Sequence, residues 1–416
     1  MSGNTDYITT HPTPVSYIPS TPTKPAHRIQ SDAEAILIAH QLAEKFAIGA
    51  AERDLQRRLP IEELEAYSQS GLWGISIPKH YGGAGVQLRT VGEVFKIISA
   101  ADPSLGQIPQ SHFNEIDDLN FDGTEEQKRF YFELILQGNR LGNAFSEKNS
   151  KTVATIQTKI LKQQDHYLIT GKKFYATGAL LAHWIPILAV DEQDLPYIAI
   201  VPRTSAGIEI LNDWSGFGQK TTASGTVILN QVKVKPEHVI HIHRSIEHPN
   251  PSGAASQFLQ AAIDAGIARG ALQETIKFIR NHARPWVDAQ QESATQDHFT
   301  IAAIGDLQVR LRAAEAVLDL AADQVDLAAQ ERSETSIAEA SILVAEAKIL
   351  TTEISLLATN KLFELAGTRS TLAEYNLDRH WRNARTHTLH DPVRWKYYAI
   401  GNYFLNNIKP ARHPWL

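Results

Sequence analysis

Two histidines and an aspartate stand close together near the C-terminus, within residues 386–392. His387, His390 and Asp391 fall at positions i, i+3 and i+4. An imidazole titrates near neutral pH and can donate or hold a proton, and a neighbouring carboxylate can orient it. The same residues also suit a structural role, because Asp391 can cap a helix whose first turn contains Pro392. The spacing by itself leaves both interpretations open.

The composition is typical of a globular enzyme. The chain has 416 residues, of which 43% are hydrophobic and 21% charged, enough for two or three domains with cores of their own. The formal net charge of −6 argues against nucleic acid or an anionic membrane as the main partner. No apolar run approaches a membrane span and no signal-peptide layout is visible, so we expect a cytoplasmic protein.

Sulfur is almost absent from the sequence. There are no cysteines and the only methionine is Met1, whereas average usage predicts on the order of ten such residues. Disulfides, thiolate nucleophiles and cysteine-ligated metal sites are therefore excluded. His241 and His243 alternate on one predicted strand, but they have no third ligand and predict no metal site. Drift or selection against oxidisable side chains would explain the depletion; we favour synthesis when the cell is short of sulfur.

The apolar pattern divides the chain into four segments and predicts a mainly α protein with a central β domain. Residues 1–26 are rich in Thr, Pro and Ser and predict an extended arm. Helical periodicity over residues 27–140 predicts an N-terminal helical domain. Short alternating runs over residues 141–250 predict a small antiparallel β domain, with a first strand at 154–161. Long helical patterns over residues 251–416 predict a C-terminal helical bundle.

Short motifs follow one another along these segments: a glycine-rich loop at 78–85, Phe-Ser-Glu at 145–147, Tyr-Ala-Thr-Gly at 175–178 and Ala-Arg-Pro-Trp at 283–286. Their order and spacing resemble the acyl-CoA dehydrogenase superfamily over about residues 30–405. In that family, the second and third motifs contact the isoalloxazine ring of the flavin. The arginine of the fourth reaches the flavin phosphates of a neighbouring subunit. The resemblance implies a flavoprotein with an N-terminal helical domain, a small antiparallel β domain and a C-terminal four-helix bundle.

The segment at residues 389–392 departs from the dehydrogenases of this superfamily. They place a glutamate base there, which removes a proton from an acyl-CoA while the flavin accepts a hydride. Here the segment reads Leu-His-Asp-Pro, and the alternative base position around 259–261 has no carboxylate nearer than Asp264. Residues 366–371 replace a glycine-rich segment and add Arg369, a cation suited to a terminal phosphate.

These departures resemble one branch of the superfamily, the two-component flavin monooxygenases typified by dibenzothiophene monooxygenase, and within it the SfnB-type sulfur-acquisition oxidoreductases. The shared features are the tail pattern over 378–392, the Ala-Arg-Pro-Trp motif and the stretches at 213–214 and 222–227. The resemblance implies an enzyme that takes reduced FMN, with FAD as an alternative, from a separate NAD(P)H:flavin reductase. Through a C4a-hydroperoxyflavin it would transfer oxygen from O2 to a small organosulfur compound. By analogy it would be a homotetramer.

The resemblance also assigns roles to individual residues. His390 is the expected proton donor, with Asp391 orienting it, His112 as a second candidate and His387 behind His390. The residues expected to bind the flavin are Asn143, Ser146 and Thr177 by hydrogen bonds, Tyr175 and Trp214 by ring packing, and Arg284 and Arg369 at the phosphate. Without the resemblance, a lone histidine such as His112 is more often structural, and the aromatic rings could equally well fill the β domain.

Two other functions remain open from the sequence. The chain could be an acyl-CoA dehydrogenase that uses Asp391 as its base. It could also be a flavin-binding or structural paralogue without catalytic activity, against which the intact His390–Asp391 pair is mild evidence.

Overall fold

The computed structural model describes residues 17–243, 248–413 and 415. The first sixteen residues of the predicted arm lie outside this range, and residues 17–26 form neither helix nor strand. Within the described part of the chain, no helix is both long enough and apolar enough to cross a bilayer.

Seven helices form the N-terminal region, and their ends show why they start where they do. They are α1 Asp32–Ala47, α2 Ala50–Gln56, α3 Ile61–Gln69, α4 Leu88–Ala101, α5 Pro103–Gln107, α6 Gln110–Asp122 and α7 Glu125–Leu136. The Ser31 hydroxyl caps α1, and Thr124 and Gln127 form a reciprocal capping box on α7. Such caps satisfy backbone N–H groups that have no partner inside the helix. The apolar face of α4 includes Val94 and Phe95, which lie in the main core.

A seven-stranded sheet follows. Its strands are β1 Lys159–Lys162, β2 Tyr167–Lys173, β3 Trp184–Val190, β4 Pro196–Pro202, β5 Ile208–Ile210, β6 Val227–Val234 and β7 Val239–Ile240. Their order is β5-β6-β2-β1-β3-β4-β7. The predicted antiparallel pairing is found for the other strand pairs, but β1 pairs parallel with β3 through Lys159 and Val190, and two isolated bridges, Leu141–Trp184 and Ala144–Ile187, are also parallel. The predicted first strand also starts too early, since residues 154–158 are not extended partners of the sheet.

Three long helices and two short ones complete the molecule. They are α8 Ser252–His282, α9 His298–Glu331, α10 Glu334–Ala366, α11 Asp378–His387 and α12 Arg394–Asn406. The 31 residues of α8 make it about 46 Å long at 1.5 Å per residue. It packs mainly against α10 and α4, and also against α9. The same helix also contacts α11, the short helix that ends at His387.

Candidate functional site

His390 and Asp391 form a pair in the turn between α11 and α12. The Nδ1 atom of His390 lies 3.0 Å from Oδ2 of Asp391. The His390 side chain is 43% exposed, whereas that of Asp391 is 1% exposed. A buried carboxylate on Nδ1 leaves the Nε2 edge of the ring for a reacting molecule, which is the arrangement needed to orient a proton donor.

Of the two interpretations of Asp391, that of a cap on the last helix was wrong. The helix α12 begins at Arg394, and its N-cap residue, Val393, makes no side-chain cap. The carboxylate instead turns inward to His390, and its Oδ1 has no hydrogen-bond partner among the described residues. Burial opposes ionisation, yet the charges of His390, Lys348 and Lys396 hold the pKa of Asp391 well below its usual value. Asp391 is therefore an ionised carboxylate whose hydrogen-bond partner is His390.

A buried ionic network lies beneath this pair. Asp264 of α8 accepts from Lys348 of α10 at 2.6 Å and from Thr352 at 3.1 Å, and its other oxygen lies 2.5 Å from Nδ1 of His387. The side chains of Asp264, Lys348 and His387 are all fully buried. Burial opposes ionisation of Asp264, but Lys348 and His387 lower its pKa to about 2. Since Asp264 is already saturated by these donors, it is not available as a base for a substrate.

Two turns of the sheet region meet beside α11 in strained backbone conformations. Tyr175 has φ 59°, Gln219 φ 49° and Ala223 φ 50°. Non-glycine residues adopt such angles at a cost of about 1–3 kcal/mol each, and they concentrate at active sites. The turns hold each other through backbone bonds from Ala176 to Gly225 and from Gly178 to Thr222. The strain therefore has a structural cause, and it leaves the Tyr175 ring half exposed.

The second of these turns docks directly on α11. A Cβ atom at Gly218 would lie 1.9 Å from the carbonyl oxygen of Arg382 and 2.6 Å from Oγ1 of Thr386. Only glycine permits this approach. The backbone N–H of Gln219 donates to Oδ1 of Asn383 at 2.7 Å. The contact brings the turn that packs against Tyr175 next to the helix that leads into His390.

The structure brings several of the predicted flavin-binding residues into these turns. The Tyr175 and Trp214 rings lie 6.1 Å apart, and the Thr177 and Ser224 hydroxyls are 2.7 Å apart. Ser146 is exposed, and its carbonyl accepts from the N–H of Phe174. Together they offer aromatic surface and hydroxyl groups of the kind that an isoalloxazine ring contacts.

Asn143 and His112 lie in a neighbouring, more buried region. Asn143 donates to the hydroxyl of Ser111 at 2.8 Å and accepts from the N–H of Phe145. The two ring nitrogens of His112 are both used, one with the carbonyl of Trp73 and the other with the N–H of Leu141. Complete burial lowers the pKa of His112 to about 3. This geometry favours a structural role for His112 in joining α6 to the start of the β domain.

Arg284 and Arg369 lie at the far end of α8. The Arg369 guanidinium contacts the carbonyl of His282 at 3.5 Å, two residues before Arg284 in the chain. His282 is eighteen residues from Asp264, which places this end ~27 Å from the network along the helix axis. These two cations therefore lie near the end of α8, away from the helix segment whose Asp264 contacts His387. The exposed side chains of Arg284 and Trp286 are available to a second copy.

Sequence reasoning missed the network itself. It identified Asp264 only as the carboxylate nearest an alternative base position, and it assigned no role to Lys348. The available signal was a lysine beside Ala347 and Ile349 in a helix with a strong apolar pattern, since an isolated charge on a buried face requires a partner. Which helix supplies that partner is a matter of packing, and no spacing within α10 reveals it.

The residues present fit a flavin. A half-exposed tyrosine in a strained turn, an adjacent tryptophan, exposed and buried hydroxyls and an oriented imidazole lie in connected elements. Two exposed arginines suited to a phosphate lie at another surface. This is the mixture of apolar walls and few polar groups expected of a cofactor site.

Comparison with known proteins agrees with this geometry. Residues 37–139 match the family model described as acyl-CoA dehydrogenase, N-terminal domain, and residues 258–395 match that of the C-terminal domain. Dibenzothiophene monooxygenase from Rhodococcus qingshengii is 32% identical over 399 residues, covering 92% of this chain and 96% of the relative. A probable FMNH2-dependent monooxygenase, SfnC from Pseudomonas putida, is 30% identical over 388 residues, covering 91% and 96%.

A solved structure shows the same architecture. The FMN-bound TdsC from Paenibacillus sp. A11-2 superposes with a TM-score of 0.88 at 30% identity, covering 92% of this chain and 100% of that one. Likeness of sequence and fold thus extends over nearly the whole length. The chain therefore belongs to the acyl-CoA dehydrogenase superfamily, in the branch of flavin-dependent monooxygenases that includes dibenzothiophene monooxygenase.

Proposed function

We propose that this chain is the oxygenase component of a two-component system that oxidises a small organosulfur compound with reduced FMN and O2. The observation that carries the proposal is the full-length similarity to dibenzothiophene monooxygenase together with the His390–Asp391 pair. The FMN-bound relative supports FMN as the cofactor. A separate NAD(P)H:flavin reductase would supply it in reduced form, because the relatives include an FMNH2-dependent enzyme.

Bound reduced flavin would supply the chemistry that activates O2. The residues of this chain would bind and orient the flavin and would hold or transfer protons. Tyr175 and Trp214 would flank the ring, with Asn143, Ser146 and Thr177 as hydrogen-bonding groups at its edges. His390 would hold or donate a proton through Nε2, because Asp391 occupies Nδ1. Water would be excluded by the packing of the sheet turns against α11.

The flavin phosphate would be held by Arg284 and Arg369 of a second copy. Arginine forks suit phosphate oxygens, and the two residues lie ~27 Å along α8 from the network below His390. A complete site therefore requires an oligomer, and we propose a homotetramer.

The alternative of acyl-CoA dehydrogenation is less well supported by the geometry. A base must reach the proton that it removes, but the Asp391 side chain is 1% exposed and bonded to His390. Asp264 is fully buried and saturated by Lys348, Thr352 and His387. Both oxygens of Asp264 are occupied, and the unpartnered Oδ1 of Asp391 is buried and does not face a substrate carbon from the surface.

Oxygen-18 labelling tests the proposed function. The protein would be mixed with a flavin reductase, NADH, FMN and 18O2, and offered dibenzothiophene, a dialkyl sulfide, a dialkyl sulfone and a sulfinate in separate reactions. We expect one of these to gain 18O, detected by mass spectrometry. If every sulfur compound is recovered unlabelled while all the O2 becomes hydrogen peroxide, the proposal fails. Reduction of a dye by an acyl-CoA would then favour dehydrogenation, and FMN binding without turnover would favour a non-catalytic paralogue.

The sulfur-poor composition gives this function a setting. An enzyme that releases sulfur from organic compounds is needed when sulfate is scarce, and a chain with no cysteine and one methionine costs little sulfur to make. We therefore expect its abundance to rise when cells are transferred from sulfate to an organosulfur source, measured by quantitative proteomics. An unchanged abundance would mean that the low sulfur content does not reflect synthesis under sulfur limitation, and compositional drift would then explain it.

A further inference from the structure

The buried ionic network below His390 connects three helices to the turn between α11 and α12 that contains His390. This placement gives the network a role beyond stabilising the fold. Asp264, Lys348 and His387 come from α8, α10 and α11. Thr352, one turn after Lys348, adds a third donor to the Asp264 carboxylate. Every member is buried. A buried carboxylate survives only when its lone pairs are satisfied and its charge is matched, and Asp264 meets both conditions.

The network is joined to His390 by the backbone. His387 is the last residue of α11, and its carbonyl accepts the backbone N–H of His390 at 3.0 Å. The bond between the His387 ring and Asp264 therefore fixes the end of the helix from which the His390 turn departs. The position of His390 therefore depends in part on where this ring is held.

The network is also joined to Asp391 by charge. Lys348 and Lys396 both lower the pKa of Asp391. Lys396 donates to Gln257 of α8 at 2.9 Å, and burial lowers its pKa to about 8. Two carboxylates, Asp264 and Asp391, are thus balanced by two ammonium groups.

We propose that Asp264, Lys348 and His387 are positioning residues for His390, forming a charge-balanced support that holds the His390–Asp391 pair in its reactive geometry. The inference rests on the proposed function for its catalytic meaning, but the geometry that it asserts is testable in the flavin-free protein. The groups that face the pair are Asp264 and Gln257 of α8, Lys348 and Thr352 of α10, His387 of α11, Lys396 of α12 and His413 of the C-terminal segment.

A double-mutant cycle read by NMR tests the support directly. The titration midpoint of the His390 ring would be measured in flavin-free protein, with the signal assigned by its loss in His390→Gln. In the wild-type background, Asp391→Asn should lower this midpoint, because the ring loses its carboxylate partner. In the background Asp264→Asn/Lys348→Met, which removes both network charges together, the same substitution should have at most about half that effect. Equal shifts in the two backgrounds would overturn the proposal.

Removing an ion pair as a unit avoids leaving a buried charge, so the double background is expected to fold. If circular dichroism shows that it does not, His387→Leu and His387→Asn replace it. Asparagine can still donate to Asp264, so it should keep most of the wild-type coupling, while leucine should lose it. Equal behaviour of these two variants would also overturn the proposal. Thr359→Val in α10 is the matched control, because its hydroxyl bonds only to its own helix, and it should behave as wild type.

The loaded enzyme supplies a second readout. Misplacement of a reacting group by about 1 Å can cost on the order of 100-fold in rate, so the double background should form at least about tenfold less product per O2 consumed. If wild-type protein oxygenates no sulfur compound, the proposed function fails while the NMR cycle still decides whether the support exists. If wild type is active and the double background stays fully coupled, the positioning role is wrong.

Discussion

At the scale of residues, exposure separates three histidines that look equivalent in the sequence. His112 and His387 are fully buried, with hydrogen bonds to backbone groups and to Asp264, respectively. The His390 ring is 43% exposed and has a carboxylate on one nitrogen only. A proton donor must reach the reacting molecule, so of the three, His390 has the geometry for that role.

His390→Ala should keep FMN affinity while separating O2 consumption from product formation. We expect product per O2 to fall by a factor of about 100, the lower end of the range for general acid–base groups, with hydrogen peroxide making up the difference. The chain offers a matched control in His166, whose ring pairs with the adjacent Asp165 at 2.6 Å on the β domain. His166→Ala should leave coupling unchanged, and an unaltered yield in His390→Ala would remove His390 from its assigned role.

A second residue-scale feature is the unpaired Glu115 on α6. It is fully buried, and neither of its carboxyl oxygens has a hydrogen-bond partner among the described residues. Burial, with the charge of Asp118 added, raises its pKa well above 4.5. Asp117 and Asp118 on the same helix have raised pKa values of about 7 and 8. The folded protein therefore keeps protons on α6 that the unfolded chain releases.

The sign of the pH effect follows from this difference. Since the pKa of Glu115 is raised in the folded protein, its contribution to the free energy of unfolding is fully present below about pH 4.5. That contribution is lost as the pH rises through the pKa of the folded state. Glu115→Gln should thus be more stable than wild type at pH 8, by roughly 1–3 kcal/mol, with a smaller gain at pH 5. Urea unfolding at both pH values measures this. Glu62→Gln, at an exposed position on α3, should show no such dependence, and a gain independent of pH would contradict the assignment.

At the scale of elements, the loop between β5 and β6 is held from both helical regions. Arg57, at the end of α2, donates to the carbonyls of Trp214 and Gly216 at 3.3 and 2.8 Å. Asn383 of α11 accepts from Gln219. The indole of Trp214 also donates to the Gln219 carbonyl at 2.8 Å. The orientation of this ring is consequently set by contacts outside the β domain.

Arg57→Ala should loosen this loop and weaken FMN binding, while global stability changes little because the guanidinium is exposed. We expect the FMN Kd to rise by about three- to tenfold, which corresponds to the loss of about 0.6–1.4 kcal/mol. Fluorescence titration provides the measurement. Its neighbour Arg58 pairs only with Glu63 in the described structure, so Arg58→Ala should bind FMN as wild type does. Equal FMN affinities for the two variants would show that the bonds from Arg57 to the loop do not contribute to FMN binding.

At the scale of the whole molecule, the long helix α8 separates the two halves of the proposed site. The histidine network contacts α8 at Asp264, and Arg369 contacts it at His282, ~27 Å away along the axis. A rigid helix does not bring these ends together. Sharing of sites between copies of the chain is the simplest way for both halves to contact one FMN.

Mixed oligomers test this arrangement. Arg284→Ala and His390→Ala, each expected to be nearly inactive alone, would be co-expressed with different tags and isolated as hybrids. With random assembly, about one site in four should combine an intact His390 with an intact arginine from another copy. Oxygenated product should therefore return to about a quarter of the wild-type yield. Hybrids as inactive as the parent variants would show that each site is built within one chain.

Much of the architecture could be predicted because it depends on local pattern. The long helices follow from their apolar periodicity, and the strands of the β domain follow from their short alternating runs. The parallel pairing of β1 and β3 could not be predicted, since two residues distant in sequence decide it. The cap at Asp391 failed for a related reason. The Asp391 carboxylate could bind either the backbone amides of the next helix or the His390 ring. Its burial beside His390, Lys348 and Lys396 outweighs the local preference for the amides.

The sequence by itself determined the family, the flavin chemistry that the family implies and the candidate residues, because motif order and residue type are properties of the chain. Only the tertiary structure decided which candidates can act. Folding buries His112 with both ring nitrogens on backbone groups and makes Asp391 the partner of His390. The length of α8 separates the contact of Arg369 at His282 from Asp264. Exposure and distance arise when remote segments pack together, and neither is encoded in the spacing of neighbouring residues.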